Sequence, residues 1–189
     1  MRINDILRFN SEIEFDEFKD LIRKQPLSEK DREDIYNHII KRLTEQYLDP
    51  AEKLILEKKE TYSFAIATLL SAVIDALGKY IYKDATVAER FKRICTDKLD
   101  ISKGDSNKLY DNLRCGIVHE AIIKNDTFIS MNTDGYLEKT ELIKTEDGKS
   151  VINLPVLKEK IRSFINKLNE ENAEDKNLVV DNFISCNSL

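Results

Sequence analysis

Glycine and proline are scarce in this chain, with five and three residues among 189, while 34% of the residues are charged. Strand-rich folds need frequent turn residues, so this composition favours long helices over a strand-and-turn architecture. A hydrophobic content of 41% at this length supports one sizeable core and argues against two full domains. We therefore predict an all-α fold, with a single domain over residues 1–170 and a tail over 171–189 that is partly disordered or docked.

Cysteine is rare as well. Cys95, Cys115 and Cys186 are odd in number and have neither paired spacing nor nearby histidine ligands. This pattern argues against both a disulfide framework and a zinc site. We expect reduced thiols, no bound metal and no other cofactor.

The chain also lacks a clean hydrophobic span. The first ten residues contain no uninterrupted apolar run that could serve as a secretory signal. The most apolar stretch, residues 63–82, is interrupted by Asp75, Gly78 and Lys79 and is predicted to be a buried helix. We expect a cytoplasmic protein without a membrane anchor. A net charge of −5 gives no overall attraction to nucleic acid, so any such contact must be local.

Capping signals and apolar spacing outline the first helices. Ser28 and Asp31 form a capping signature for an amphipathic helix. We expect that helix to end near Pro50, because the residue before a proline avoids the α region. Residues 51–83 are predicted to be one long helix, or two helices with a break near Thr61.

Three further helices are predicted downstream. Residues 86–99 form the first, and helix-start residues around Gly104 predict a second, capped by Asp105 or Ser106. A closing amphipathic helix has Pro155 in its first turn. Between the last two, Asp-Gly dipeptides at 134–135 and 147–148 predict a β-hairpin or small meander. The predicted fold is thus an up-and-down helical bundle with a β-hairpin insertion around 127–153.

A polar stripe crosses the most apolar helix. Thr68, Ser71, Asp75 and Lys79 recur at steps of three and four residues and so share one face. A carboxylate in an apolar helix needs a partner, which makes Asp75 a candidate to pair with Arg114. That pair would be either a structural ion pair or a brace for an active site.

The sequence Leu-Arg-Cys-Gly-Ile-Val-His-Glu at 113–120 places Arg114 five positions before His119. At about 100° per residue, Tyr110, Leu113, Ile117 and Ala121 fall in one arc, which we predict to be the core face. Arg114 then lies at the edge of that arc. His119 lies roughly opposite, with Asn112 and Cys115, and it is either in water or covered by another helix or a second subunit.

The spacing of an arginine and a histidine is weak evidence by itself. Arg32 lies six positions before His38 on the first amphipathic helix, which shows how easily such a match arises. An isolated histidine on a helix surface is usually solvated or forms local hydrogen bonds. We expect that structural role for His38.

The wider context of Arg114 and His119 resembles the R-x4–6-H signature of HEPN domains. Residues 109–120 carry the motif in its R-x4-H form, a long apolar helix precedes it, and a hairpin-like insertion and a closing amphipathic helix follow. The resemblance covers residues 63–168. It implies a helical bundle that commonly forms a homodimer, with the motif helices facing each other across the interface.

Many members of that family are metal-independent endoribonucleases in toxin–antitoxin, phage-defence or RNA-processing systems. The resemblance implies that Arg114 neutralises the scissile phosphate and that His119 acts as general base or acid, with RNA as substrate and an antitoxin or another protein as partner. A guanidinium can bridge two phosphate oxygens, and an imidazole titrates near neutral pH. The expected product carries a 2′,3′-cyclic phosphate.

Other interpretations stay open at this point. Cys115 occupies a position that is often a polar residue such as Asn in active members, and some members are inactive binding modules. Cys115 itself is either a small packing residue or a redox-sensitive thiol, since Arg114 would favour its thiolate. A third interpretation is that the motif arose by coincidence in an unrelated helical scaffold.

Overall fold

The computed structural model describes residues 10–120, 123–132, 135–170 and 173–187. The described chain is mostly helical and carries one small three-stranded sheet, which agrees with a helical bundle that has a β insertion. The helices are α1 (Phe15–Arg23), α2 (Glu29–Leu43), α3 (Asp49–Leu56), α4 (Ser63–Ile81), α5 (Val87–Arg93), α6 (Lys103–Lys108), α7 (Cys115–Glu120), α8 (Leu154–Glu170) and α9 (Ala173–Asn187). The strands are β1 (Thr127–Ser130), β2 (Ile143–Glu146) and β3 (Lys149–Asn153).

Helix α4 forms the centre of the bundle, with α3, α5, α8 and α9 packed around it. Its buried positions include Ile66, Leu70, Ile74 and Leu77, each fully removed from solvent. Glu60–Ile81 has the length and mean hydropathy (1.6) of a membrane span, the one such stretch among the described residues. Because the surrounding helices cover α4, this apolar character is accounted for by a core helix.

The first predicted helix begins as expected and ends later than expected. The Ser28 hydroxyl accepts a hydrogen bond from the Asp31 amide, so the predicted capping box is confirmed. The expected end near Pro50 is wrong, because Asp49 has α-helical angles and the helix runs through it into α3. A π-helical turn at Thr44–Leu48 joins α2 to α3, and Pro50, which has no backbone N–H to donate, follows directly after this wider turn.

The helices around the motif are confirmed except for one cap. The break near Thr61 is a 3₁₀ turn, Glu60–Tyr62, that separates α3 from α4. Thr86 caps α5, which continues through a second π turn, Ile94–Lys98. The predicted caps at Asp105 and Ser106 are wrong, because the Ser102 hydroxyl accepts from the Asp105 amide and α6 begins at Lys103.

The insertion contains a hairpin but is not a meander. Strands β2 and β3 pair antiparallel across the Asp147-Gly148 turn, where both residues have positive φ (50° and 78°), as that turn requires. Strand β1 pairs parallel to β3 on its other edge, giving the order β1-β3-β2. Gly135 also has a positive φ of 72°, whereas Asp134, the other half of its predicted turn, lies outside the described residues.

The last two helices close the bundle. Pro155 lies in the first turn of α8, as predicted, and Leu157, Ile161 and Leu168 are buried. Helix α9 packs against α2 and α4, with Val179 among its buried residues. The boundary between a domain ending at 170 and a separate tail remains a prediction.

Candidate functional site

Arg114 lies at the end of a π turn inside one continuous helix. Helix α6 leads into the π-helical segment Leu109–Arg114, and α7 follows without a break. The Cys115 amide donates to the Tyr110 carbonyl five residues earlier, which is the hydrogen bond that defines this wider turn. Wide turns of this kind are frequent at functional sites.

The π turn changes which residues face the core. Leu109 and Leu113 are fully buried and Ile117 is 7% exposed, so the core face repeats every four residues. In a regular α-helix a four-residue repeat drifts by about 40° per step, and the wider turn reduces that drift. The predicted core face is therefore confirmed for Leu113 and Ile117, and Tyr110 is half-buried and packs against the core from the side. Ala121 lies outside the described residues.

The predicted pairing of Asp75 with Arg114 is present. The Nε of Arg114 donates to Oδ2 of Asp75 at 3.0 Å, joining the motif helix to α4. The arginine side chain is 13% exposed and the aspartate side chain 29% exposed, so the pair is partly shielded from water.

Burial works against the charge on both partners. At Asp75 burial raises the pKa by more than the attraction of Arg114 and the nearby Arg90 lowers it. At Arg114 burial alone would lower the pKa, but the attraction and hydrogen bond of Asp75 outweigh it, so the net shift is upward. The guanidinium of Arg114 therefore stays charged, whereas burial disfavours the charged form of the Asp75 carboxylate.

Tyr110 forms an aromatic platform beside this pair. The Cζ of Arg114 lies 5.7 Å from its ring centroid and the Nζ of Lys92 lies 5.0 Å away, both within cation–π range. The ring of Phe91 packs against it at 5.5 Å. Burial, followed by a hydrogen bond with Cys115, raises the pKa of Tyr110, so its hydroxyl is neutral at physiological pH. The sequence pattern placed Tyr110 on the core face and did not show its contact with Arg114.

The face carrying Asn112 is covered in part by the start of the insertion. The Asn112 amide nitrogen donates to Oγ1 of Thr127 at 2.9 Å, and its Oδ1 accepts from the side chain of Asn125 at 2.8 Å. The Asn112 carbonyl accepts from the amide of Lys124 at 3.2 Å. These bonds anchor the sheet to the motif helix. Helical periodicity could place Asn112 on this face but could not show what covers it.

His119 lies in the last turn of α7, five residues after Arg114. Its side chain is outside the described part of the structure, so its predicted position stays a prediction. At about 1.5 Å per residue, the two residues of one chain are separated by about 7.5 Å along the helix axis.

The three cysteines have different surroundings. Cys115 is half-buried next to Arg114, whereas Cys95 is buried and burial raises its pKa to about 12, which makes it unreactive. Cys186 is half-buried on α9. Within the described part of the chain, no three His, Cys, Asp or Glu side chains are grouped so that they could hold a metal ion.

Arg32 and His38 make separate structural contacts, and that structural role was expected for His38. Asn10 donates to the His38 carbonyl at 3.0 Å and its Nδ2 lies 3.1 Å from the histidine Nδ1. The Nε of Arg32 donates to the Oδ1 of Asn177 on α9 at 2.6 Å. The two side chains therefore serve separate packing contacts on α2.

No protein-family model, no curated protein and no solved structure matches this chain.

Proposed function

We propose that this chain is a HEPN-like, metal-independent endoribonuclease in which Arg114 binds the scissile phosphate and His119 transfers protons. One observation carries the proposal: the guanidinium of Arg114 is oriented by Asp75 on the core helix, beside the ring of Tyr110, on a helix that continues to His119. A cation held in a fixed orientation can stabilise charge that develops on a phosphate without reorganising during the reaction.

The proposed reaction needs only groups of the chain and the RNA. His119 takes the proton from a ribose 2′-hydroxyl, whose oxygen attacks the adjacent phosphorus while the bond to the 5′-oxygen breaks. A protonated imidazole supplies the proton to that leaving oxygen. Arg114 neutralises the negative charge on the non-bridging oxygens. The products are a 2′,3′-cyclic phosphate and a free 5′-hydroxyl.

The proposal includes a homodimer in the cytoplasm. Two copies related by a two-fold axis would bring two motif helices together, so that each site receives residues from both chains. The proposed roles are those of a toxin, a phage-defence effector or an RNA-processing enzyme, with an antitoxin or another protein as partner. Arg90 near Asp75 would add positive charge for the RNA backbone, whereas the charge of Lys92 beside Tyr110 is shared with Asp111.

A second candidate is a catalytically inactive HEPN-like module that binds a protein partner, RNA or nucleotide. Two observations favour it: Asp75 already offsets the charge of Arg114, and Cys115 is a weak hydrogen-bonding group at the position after the arginine. Arg114 would then clamp an anionic group of the partner without any proton transfer.

An RNA cleavage assay in EDTA tests the proposal and separates the two candidates. We expect the unmodified chain to cut, and Arg114→Ala and His119→Ala to lose at least about 100-fold in rate, as expected for the loss of a charge-stabilising or proton-transferring group. The matched controls are His38→Ala and Arg162→Ala, which remove a histidine and a partly buried arginine elsewhere in the fold. Both controls should cut normally.

The possible outcomes are distinct. Equal cutting by all variants would indicate a contaminating nuclease and end the enzyme proposal. No cutting on a broad RNA panel, combined with RNA or nucleotide binding that Arg114→Ala abolishes, would favour the inactive module. Cyclic phosphate ends on the product would support the proposed chemistry, and 5′-phosphate ends would contradict it.

A further inference from the structure

One half-buried arginine of the described chain has no bonded partner. Arg90 lies on α5, and no hydrogen-bond acceptor and no carboxylate among the described residues is in contact with its guanidinium. Three other half-buried arginines each form an ion pair with a carboxylate: Arg32, Arg114 and Arg162. Because a guanidinium carries several N–H donors and buried donors are usually bonded, Arg90 is a candidate to hold an anionic ligand.

The packing of α5 on α4 places Arg90 beside Asp75. Gly78 of α4 has no side chain, and an added Cβ there would lie 3.1 Å from the Cβ of Arg90 and 3.2 Å from its carbonyl oxygen. The backbone of α5 therefore approaches α4 closely at this position. Asp75 lies three residues before Gly78, so the two are neighbours on the surface of α4. Burial raises the pKa of Asp75, and the charges of Arg114 and Arg90 both oppose that rise.

Two guanidinium groups therefore share one carboxylate. The Nε of Arg114 donates to Asp75 at 3.0 Å, whereas Arg90 acts on Asp75 through its charge alone. Two positive groups and one negative group leave a surplus of one positive charge at this point of the structure. Because the pair of Arg114 and Asp75 is partly shielded from water, that surplus is screened less than the charge of an exposed side chain.

The other charged residues of α5 already have partners. Each of them contacts a residue outside the helix or at its cap: Glu89 with Thr86, Lys92 with Asp111, and Arg93 with Asp97. They therefore neither neutralise Arg90 nor add to its surplus charge. Arg93 is a matched control for Arg90, because it carries the same group on the same helix and is bonded elsewhere.

We propose that Arg90 binds the RNA phosphate next to the scissile one, so that the site holds two consecutive phosphates of one strand. This assignment rests on the proposed function, which places the scissile phosphate at Arg114. A guanidinium can donate two parallel bonds to the oxygens of a phosphate, and the next phosphate of the strand is the nearest anion to a bound scissile group. Arg90 contacts no reacting atom, so it contributes equally to the binding of the substrate and of the transition state.

Binding of an uncleavable RNA tests Arg90 independently of catalysis. A short 2′-O-methyl oligouridylate has no 2′-hydroxyl, so the proposed reaction cannot cut it. In a fluorescence titration of the full chain, Arg90→Gln should bind this oligonucleotide roughly tenfold more weakly, as expected when one charged contact is lost. The slope of log affinity against log salt concentration should fall by about 0.7, the value for one phosphate contact on a single strand.

The control variant Arg93→Gln should leave both the affinity and the slope unchanged. Equal losses in Arg90→Gln and Arg93→Gln would show a general effect of net charge and would contradict the proposal. The proposal would also be wrong if the unmodified chain bound no oligonucleotide.

A conservative variant covers a failure of Arg90→Gln to fold, which circular dichroism detects. Arg90→Lys keeps the positive charge but cannot donate two parallel bonds. Its salt slope should therefore match that of the unmodified chain, while its affinity for the oligonucleotide should be lower. Full affinity in Arg90→Lys would show that no paired contact to a phosphate exists.

Cleavage kinetics separate this proposal from the ribonuclease proposal. On cleavable RNA, Arg90→Gln should raise KM roughly tenfold and leave kcat unchanged, whereas Arg114→Ala should lower kcat. A fall in kcat for Arg90→Gln would mean that Arg90 acts on the scissile phosphate itself, which contradicts the adjacent position. If the unmodified chain cuts no RNA but its binding depends on Arg90, the ribonuclease proposal fails and the phosphate contact of Arg90 stands.

Adenosine triphosphate offers consecutive phosphates from another source and serves as a competitor. It should displace the oligonucleotide only at a much higher concentration than unlabelled oligonucleotide does. Tighter binding of adenosine triphosphate that is lost in Arg90→Gln would assign the site to a free nucleotide and overturn the assignment to RNA.

Discussion

Two partly buried ion-pair regions of this molecule shift the pKa values of their carboxylates in opposite directions. Between α3 and α8, the Glu52 carboxylate accepts from Lys158 at 3.1 Å and from Arg162 at 2.8 Å, and these contacts lower its pKa, with the Lys158 hydrogen bond as the largest cause. Between α4 and the motif helix, burial raises the pKa of Asp75 despite its bond to Arg114. The first arrangement favours the charged form of Glu52, whereas the second disfavours the charged form of Asp75.

The difference separates a structural contact from a candidate functional one. The ion pairs of α3 and α8 have the geometry expected of a contact that holds two helices together, because each charge has close partners. A titratable group whose environment disfavours its charge, beside a positioned guanidinium and an aromatic ring, is more typical of functional sites. Stability measurements on matched variants can test this contrast.

The largest effect is expected for Arg114→Ala. Removing the guanidinium leaves the Asp75 carboxylate partly buried without its partner, and we expect the free energy of unfolding to fall by about 2–3 kcal/mol. Urea unfolding of Arg114→Ala, Asp75→Asn and the double variant measures their coupling. We expect the double variant to recover about 1 kcal/mol of the loss. Purely additive losses would mean that the two residues do not stabilise each other.

A smaller loss is expected for Lys158→Met. The lysine side chain is 8% exposed, and methionine keeps most of its apolar packing while removing the charge. Glu52 retains Arg162 as a partner and its side chain is 37% exposed, so we expect a loss of about 1–2 kcal/mol in urea unfolding. A loss larger than that of Arg114→Ala would contradict the expectation that the Asp75–Arg114 pair has the larger effect on the free energy of unfolding.

The smallest expected effect is on the pH dependence of folding stability, which should have opposite signs for Asp75 and Glu52. Because the pKa of folded Asp75 lies above its ordinary value of 3.8, its charge costs stability at neutral pH, and the cost is relieved as the pH falls through the folded pKa. Because the pKa of folded Glu52 lies below 4.5, its charge contributes stability that is lost as the pH falls through the folded pKa.

Unfolding measured between about pH 7 and pH 3 checks this sign. Relative to Asp75→Asn, the unmodified chain should become more stable on acidification. Relative to Glu52→Gln, it should become less stable. The same sign for both comparisons would show that the two carboxylates are not in opposite environments.

Sequence patterns predicted those parts of the fold that depend on local interactions. The capping box at Ser28, the break near Thr61 and the Asp147-Gly148 turn follow from side-chain and backbone preferences of a few neighbouring residues. The helix through Pro50 and the parallel pairing of β1 with β3 were not predicted. Both depend on distant packing, which overrides local preference.

The sequence predicted one contact of the candidate site and missed another. The need of a carboxylate in an apolar helix for a partner predicted the Asp75–Arg114 bond across 39 residues. The contact of Tyr110 with Arg114 was not predicted, because a fixed rotation of 100° per residue does not describe a π turn. No single residue type predicts such a turn.

The π turn at Leu109–Arg114 makes this helix tolerant of a change in length at one place. Such a turn accommodates one residue more than a regular α-helix does, while the segments on either side keep their orientation. Deleting a residue within it, such as the exposed Asp111, would therefore restore regular winding and leave the two flanks in phase. Deleting a residue from the regular winding of α6 would instead rotate its two flanks against each other by about 100°. Homologues with one residue fewer in this helix should therefore lack it within the π turn.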